Sequence, residues 1–188
     1  MKLFQEFKID AGKVAVFDDV ISPRQHFELS KSISELSYNR TQSDTQKTRD
    51  SYLYYVAHLD LKLMRKHSLG IAAMNLAASA FPEQKSKLMM TYVNRISYGD
   101  VSFAHRDCRP DLRDLTAIYF GNSEWLKDWG GETIFFDKKY NALLAVTPRP
   151  RRMVLFNGNI LHRVGIPSRI CFQSRLTIAL KFIGNSPL

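Results

Sequence analysis

Asn94-Arg95-Ile96-Ser97-Tyr98-Gly99-Asp100-Val101-Ser102-Phe103-Ala104-His105-Arg106-Asp107 passes from a strand pattern, through a turn, into metal-ligating residue types. The strand begins near Met89, and Gly99 supplies the turn signal. Along an extended chain residues two apart share a face, so His105 and Asp107 point together while Arg106 points away. An imidazole and a carboxylate on one face are two ligands for a divalent ion. A third is available at His162, in Phe156-Asn157-Gly158-Asn159-Ile160-Leu161-His162-Arg163-Val164, where a strand, a turn and a second strand return the chain to the same end. Two His and one carboxylate on one face of an octahedron leave three positions open.

Alone, His-x-Asp is far more often a histidine hydrogen-bonded to its neighbour than a metal site. The order of the downstream residues gives it weight. Arg175-Leu176-Thr177 comes after His162 on the last strand, and Arg175 and Thr177 again share a face. A buried guanidinium is costly unless a carboxylate meets it, and its planar fork fits one, with the Thr hydroxyl adding a hydrogen bond. Such a pair suits a diacid.

Working outward, turn residues separate β-rich runs at Met89–Tyr98, Leu115–Phe120, Glu132–Phe136, Ala142–Val146, Met153–Phe156, Leu161–Ile166 and Arg175–Ile183. Short strands at this density predict a sandwich or barrel with helices packed outside one sheet. Before them, Leu3–Ile9 and Val14–Phe17 read as strands, and Ser22-Pro23 opens a helix to about Leu36 in the preferred cap and first-turn order. Tyr38 to Ser51 is polar without an apolar face and reads as a mobile surface loop. His58 to Ala80 carries Leu61, Met64, Ile71, Met74 and Ala78 near helical spacing, with Gly70 as the point of a break or bend. The expected fold is mainly β with flanking helices, a single domain over 1–188. Residues 1–87 are expected to be an N-terminal helix-and-strand support, and 88–188 the strand-rich core.

The chain has 188 residues, 45% hydrophobic and 24% charged, which excludes a disordered tail. At this size it can bury a core without a structural metal, so a metal found here serves chemistry. A net charge of +9 favours anionic ligands without naming one. Cys108 and Cys171 are too few for a disulfide framework and read as reduced thiols. The N-terminal residues lack a signal peptide's apolar core, and the longest nearly apolar run, Leu69 to Phe81, is too short to span a bilayer. The expectation is a cytoplasmic protein without membrane partners.

The sequence from about Met89 to Phe182 resembles the Fe(II)/2-oxoglutarate-dependent dioxygenases, particularly the branch similar to prolyl 4-hydroxylases. The resemblance rests on Asn94 through Asp107, on Ala117-Ile118-Tyr119-Phe120 to Trp125, on Trp129-Gly130-Gly131-Glu132-Thr133, and on His162 and Arg175-x-Thr177 in the family's order. It implies a double-stranded β-helix, a cupin-like jelly roll, holding Fe(II) through His105, Asp107 and His162. It also implies that 2-oxoglutarate chelates the iron while Arg175 and Thr177 bind its distal carboxylate, with Tyr92 and Asn94 as further contacts. Two departures stand out. Ile96 occupies the position where relatives often carry a tyrosine, and an arginine replaces the lysine usual in prolyl hydroxylases, with Arg169 as runner-up to Arg175. The implied reaction consumes O2 and 2-oxoglutarate, releases succinate and carbon dioxide, and oxidises a C–H bond. Hydroxylation leads; desaturation and ring formation stay open.

Substrate signals are thinner. Pro148-Arg149-Pro150-Arg151-Arg152 reads first as a hairpin turn with solvated arginines, and second as a basic tract that docks anions. Arg106, Arg109 and Arg113 lie near the ligands in sequence, and Lys47, Arg49, Tyr52, Tyr54 and Tyr55 lie in or after the polar loop. A small metabolite or amino acid, anionic or neutral, is the leading substrate. A peptidyl side chain, a nucleotide or nucleic acid, and an inactive metal-binding barrel are the alternatives.

Overall fold

The computed structural model describes residues 2–10 and 12–184. Strands β1 (Lys2–Ile9) and β2 (Gly12–Asp18) form an antiparallel hairpin, followed by α1 (Pro23–Ser34). Ser22 caps α1 reciprocally: its side chain accepts from Gln25 N, and the Gln25 side chain accepts from Ser22 N. Next come β3 (Asn39–Gln42), β4 (Tyr54–His58), α2 (Leu61–Lys66) and α3 (Ser68–Ala80). The C-terminal half supplies β5 (Lys87–Ile96), β6 (Leu115–Phe120), β7 (Thr133–Phe136), β8 (Ala142–Val146), β9 (Met153–Asn157), β10 (His162–Val164) and β11 (Arg175–Ile183). These seven match the strand-rich runs read from the sequence, with shifted ends.

The strands form an eight-stranded sheet, β1-β2-β9-β6-β11-β5-β4-β3, and a three-stranded sheet, β10-β7-β8, in a jelly roll. The large sheet has two differently used faces. Leu176, Ile178 and Leu180 of β11, with Ala117 and Tyr119 of β6, pack in one apolar cluster with Leu29 and Ile33 of α1 and Leu69, Ala73 and Leu76 of α3. On the opposite face Ile118, Phe120, Val154 and Phe156 pack with Phe135 and Val146 of the small sheet. Odd-numbered residues of β11 from Arg175 to Lys181 therefore face the space between the sheets.

Two expectations are corrected. The polar stretch after Tyr38 contains β3, which pairs with β4, so it is partly ordered sheet rather than a loop throughout. The helix expected from His58 to Ala80 is two helices, broken at His67 rather than at Gly70. His67 has extended backbone, and its Nδ1 accepts from Leu69 N to cap α3. Gly70 lies inside α3 because a Cβ there would come within 1.9 Å of Met64 O. It permits close approach of α2 and α3.

Candidate metal centre

The expected strand does not continue to His105. Instead a single bridge frames it: His105 N donates to His162 O at 2.8 Å and His162 N donates to His105 O at 2.9 Å. Beyond the bridge, Asp107 N and Cys108 N both donate to Gly158 O, at 2.8 and 3.2 Å. The turn between β9 and β10 thus holds the His-x-Asp segment by its backbone, and the side-chain parity expected from an extended strand survives without one.

One ligand atom from each of His105, Asp107 and His162 lies within 4.8 Å of the others. His105 Nδ1 lies 2.9 Å from Phe103 O, and His162 Nδ1 lies 2.9 Å from Ile160 O. A carbonyl only accepts, so each Nδ1 carries the proton and each Nε2 offers its lone pair to the centre. Those Nε2 atoms lie 3.6 Å from the Asp107 carboxylate oxygens. This donor set fits a divalent iron ion.

Burial and the mutual charges of the three groups set their protonation. Burial pushes His162 down to about 4 against the pull of Asp107, so it is neutral and ligand-ready near pH 7. Burial also acts to lower His105, but the Asp107 hydrogen bond and charge outweigh it and hold the imidazole above its ordinary value. Burial acts to raise Asp107, yet Lys181, His162 and His105 together keep its carboxyl well below the usual range. Burial raises the Cys108 thiol to about 11, which leaves it a packed thiol rather than a reactive thiolate.

At the other end of the pocket Arg175 is 1% exposed. Its Nε donates to Gly131 O at 2.7 Å, and its terminal nitrogens donate to Thr177 Oγ1 at 3.2 Å and Thr133 Oγ1 at 3.0 Å. Burial lowers it to about 9, with Glu132 opposing, so it remains a cation at neutral pH. Three of its five N–H groups are used, which leaves one on each terminal nitrogen for a carboxylate fork. Gly131 makes room for it: with φ +80, a Cβ there would stand 3.1 Å from Trp125 and 3.2 Å from Arg175.

Tyr92, Asn94 and Thr177 line the same pocket as His105, Asp107, His162 and Arg175. Asn94 Oδ1 is buried without a hydrogen-bond partner. Arg169 instead lines a separate surface cavity with Ser97, Tyr98 and Phe172, outside this pocket.

Four side chains that sequence reasoning missed complete the site: Asp44, Thr116, Thr133 and Lys181. Asp44, from the stretch expected to be a mobile loop, accepts from Phe103 N at 2.5 Å and from the Tyr54 hydroxyl at 3.3 Å, and lies 3.5 Å from His105 Nδ1. Tyr54 lines the pocket, whereas Tyr52 and Tyr55 lie 4.7 and 5.9 Å from the Arg40 guanidinium. Of the basic residues noted near the ligands, Arg106 lines a second cavity of about 490 Å³, with Met89, Met90, Leu115 and Ile183. Gln42, Asp44, Tyr92, Asp107, Thr116 and Lys181 are common to both cavities. The basic tract near Pro148 is largely spent on ion pairs, Arg149 and Arg152 with Asp18 and Arg151 with Asp19. Among the described residues no helix is long and apolar enough to cross a membrane.

Residues 91–182 match the family model described as the 2OG-Fe(II) oxygenase superfamily. No curated protein matches the chain in sequence. Among solved structures, it superposes on a prolyl 4-hydroxylase from Phytophthora capsici with a TM-score of 0.65 at 20% identity, covering 92% of this chain and 59% of that one. A Pseudomonas putida prolyl-4-hydroxylase gives 0.65 at 16% identity, with 92% and 93% covered. SnoN, a non-haem alpha-ketoglutarate-dependent epimerase from nogalamycin biosynthesis, gives 0.66 at 12% identity, with 93% and 78% covered. The shared feature at these identities is the fold.

Proposed function

We propose that the chain, whose residues 91–182 match the 2OG-Fe(II) oxygenase superfamily model, is a 2-oxoglutarate-dependent hydroxylase acting on an unactivated C–H bond of a small metabolite or amino acid. One observation carries this: His105, Asp107 and His162 converge at one end of a pocket whose other end holds a buried Arg175 with two unspent N–H groups. In this reading His105, Asp107 and His162 hold the iron. Arg175 and Thr177 hold the distal carboxylate of 2-oxoglutarate, with Tyr92 and Asn94 beside it. Bound Fe(II) supplies the redox chemistry by which O2 and 2-oxoglutarate yield succinate, carbon dioxide and an oxidised C–H bond.

The chain's own contribution is placement. Backbone bonds to Gly158 and across the His105–His162 bridge fix the ligands before any ion arrives. The two Nδ1–H donations set both tautomers. Arg175 orients the cosubstrate from the far end, which directs its keto acid toward the ligands. The 490 Å³ cavity meets the pocket at Asp107 and gives a prime substrate access from the Met89, Met90 and Ile183 side. Met89, Met90 and Ile183 offer that substrate apolar contact beside the charged Arg106, Asp114 and Lys181.

A second reading, a peptidyl hydroxylase, is supported by the prolyl 4-hydroxylases that share the fold. The epimerase shares it too, so the fold does not select the outcome. The test is succinate formation by anaerobically iron-loaded protein after O2 addition, with metabolite, amino acid, peptide and nucleotide pools. Stimulation by the metabolite or amino acid pool is expected. Stimulation by peptides alone would favour the second reading, and absence of 2-oxoglutarate binding would overturn both.

A further inference from the structure

Lys181 is the unabsorbed feature at the centre. It projects from β11 on the face of Arg175 and Thr177, at the wall shared by the cosubstrate pocket and the second cavity. Its ammonium stands 2.6 Å from Asp107 Oδ2 and donates to Thr116 Oγ1 at 3.2 Å. The Thr116 hydroxyl itself donates to Asp107 Oδ2 at 2.6 Å. Each carboxylate oxygen faces one imidazole at 3.6 Å, Oδ1 to His105 Nε2 and Oδ2 to His162 Nε2, but Oδ2 alone of the two also receives these two donors, one of them charged. Only 23% of the Lys181 side chain is exposed, so little water competes for the pair.

This asymmetry bears on coordination. An octahedral ion held by two imidazoles and one carboxylate oxygen keeps three positions open. If both carboxylate oxygens bound, two would remain, enough for a chelating keto acid but not for O2 as well. We propose that Lys181 is a positioning residue that, together with Thr116, occupies Asp107 Oδ2 and thereby limits Asp107 to one-oxygen ligation, preserving the third open position. This deepens the functional reading above and rests on it. The ammonium also opposes a divalent ion by charge and favours a dianionic cosubstrate, so it shifts affinity from metal to 2-oxoglutarate.

The test compares Lys181→Met and Thr116→Val with wild type, using Mn(II) affinity from the electron-spin-resonance signal of the free ion. In parallel, 2-oxoglutarate affinity is measured by equilibrium dialysis at saturating Mn(II), and folding is checked by thermal melting. Lys181→Met is expected to bind Mn(II) about threefold or more tighter, because a like charge is gone and Asp107 can chelate. It should bind 2-oxoglutarate about tenfold or more weakly. Thr116→Val, which removes no charge, should move both affinities in the same directions by less. In the anaerobic Fe(II) complex with 2-oxoglutarate, the visible charge-transfer band should shift in both variants.

An ordinary outer partner of a metal ligand would instead lose about 10- to 100-fold in metal affinity, and that result overturns the proposal. So does proportional weakening of both ligands, no change in either, or a Thr116→Val variant indistinguishable from wild type, since charge alone would then suffice. If wild type with Mn(II) fails to bind 2-oxoglutarate, the functional reading falls. The clamp is then judged on metal alone, supported by tighter binding in both variants and overturned otherwise.

Discussion

Replacing Arg175 with Met should separate function from stability. The guanidinium is buried, forms no ion pair among the described residues, and lies over the Phe120 ring at 5.1 Å. Two free N–H groups facing a carboxylate are worth roughly 1.5 to 3 kcal/mol each, and a net loss of about 3 kcal/mol weakens 2-oxoglutarate on the order of 100-fold. Stability behaves differently. Exchanging a buried, carboxylate-free cation for an apolar side chain of similar length relieves desolvation by about 1 to 4 kcal/mol. Against this, Gly131 O, Thr133 Oγ1 and Thr177 Oγ1 lose their donor, at about 1 kcal/mol each. The two nearly cancel, so Arg175→Met should melt within about 4 °C of wild type. Isothermal titration with 2-oxoglutarate in the presence of Mn(II), beside a melting curve, reads both quantities. Affinity within about threefold of wild type, or a melting point lowered by about 10 °C or more, would refute the reasoning.

The same geometry sets three further outcomes. Gly131→Ala should weaken 2-oxoglutarate about tenfold through strain at φ +80 and displacement of Arg175, measured by the same titration, while Mn(II) affinity is retained. Gly70→Ala should destabilise the chain by about 3 kcal/mol in urea unfolding, because its Cβ would collide with Met64 O 1.9 Å away. Asp18→Asn should cost about 3 kcal/mol by leaving Arg152 unpaired, since Asp18 meets that guanidinium at 2.7 and 3.0 Å. The Arg152 hydrogen bond, opposed by burial and aided by the Arg152 and Arg149 charges, lowers the folded-state value of Asp18. Its contribution is therefore present above the unfolded value near 4 and lost as pH falls through the depressed folded value. The urea midpoints of wild type and Asp18→Asn should stay separated above about pH 5 and converge below about pH 4.

The convergence of His105, Asp107 and His162 was legible in the sequence because alternation along an extended chain needs only parity, and the His105–His162 bridge preserves parity where the strand stops. Arg175 and Thr177 were legible for the same reason. Lys181 carried a usable signal that went unread: it shares the parity of Arg175, Thr177 and Ala179, and a lysine on the inward face of a core strand needs a partner. Thr116 sits likewise in phase with Ile118 and Phe120. Asp44 had no such signal, since it reaches the site through pairing of β3 with β4, a contact between segments whose local pattern is polar and irregular. The sequence points to Gly70 as the break or bend because glycine is the usual breaker. His67 does the breaking through its extended backbone and side-chain cap, while Gly70 serves helix contact.

The most direct test of the account is succinate release from 2-oxoglutarate by iron-loaded wild type, Asp107→Ala and Arg175→Met after O2 is admitted. The account predicts succinate from wild type alone at low 2-oxoglutarate. Arg175→Met should recover partly when 2-oxoglutarate is raised about 100-fold, and Asp107→Ala should stay silent throughout. Equal succinate from all three proteins, or none from a wild type shown to hold both iron and 2-oxoglutarate with every substrate pool supplied, would contradict it.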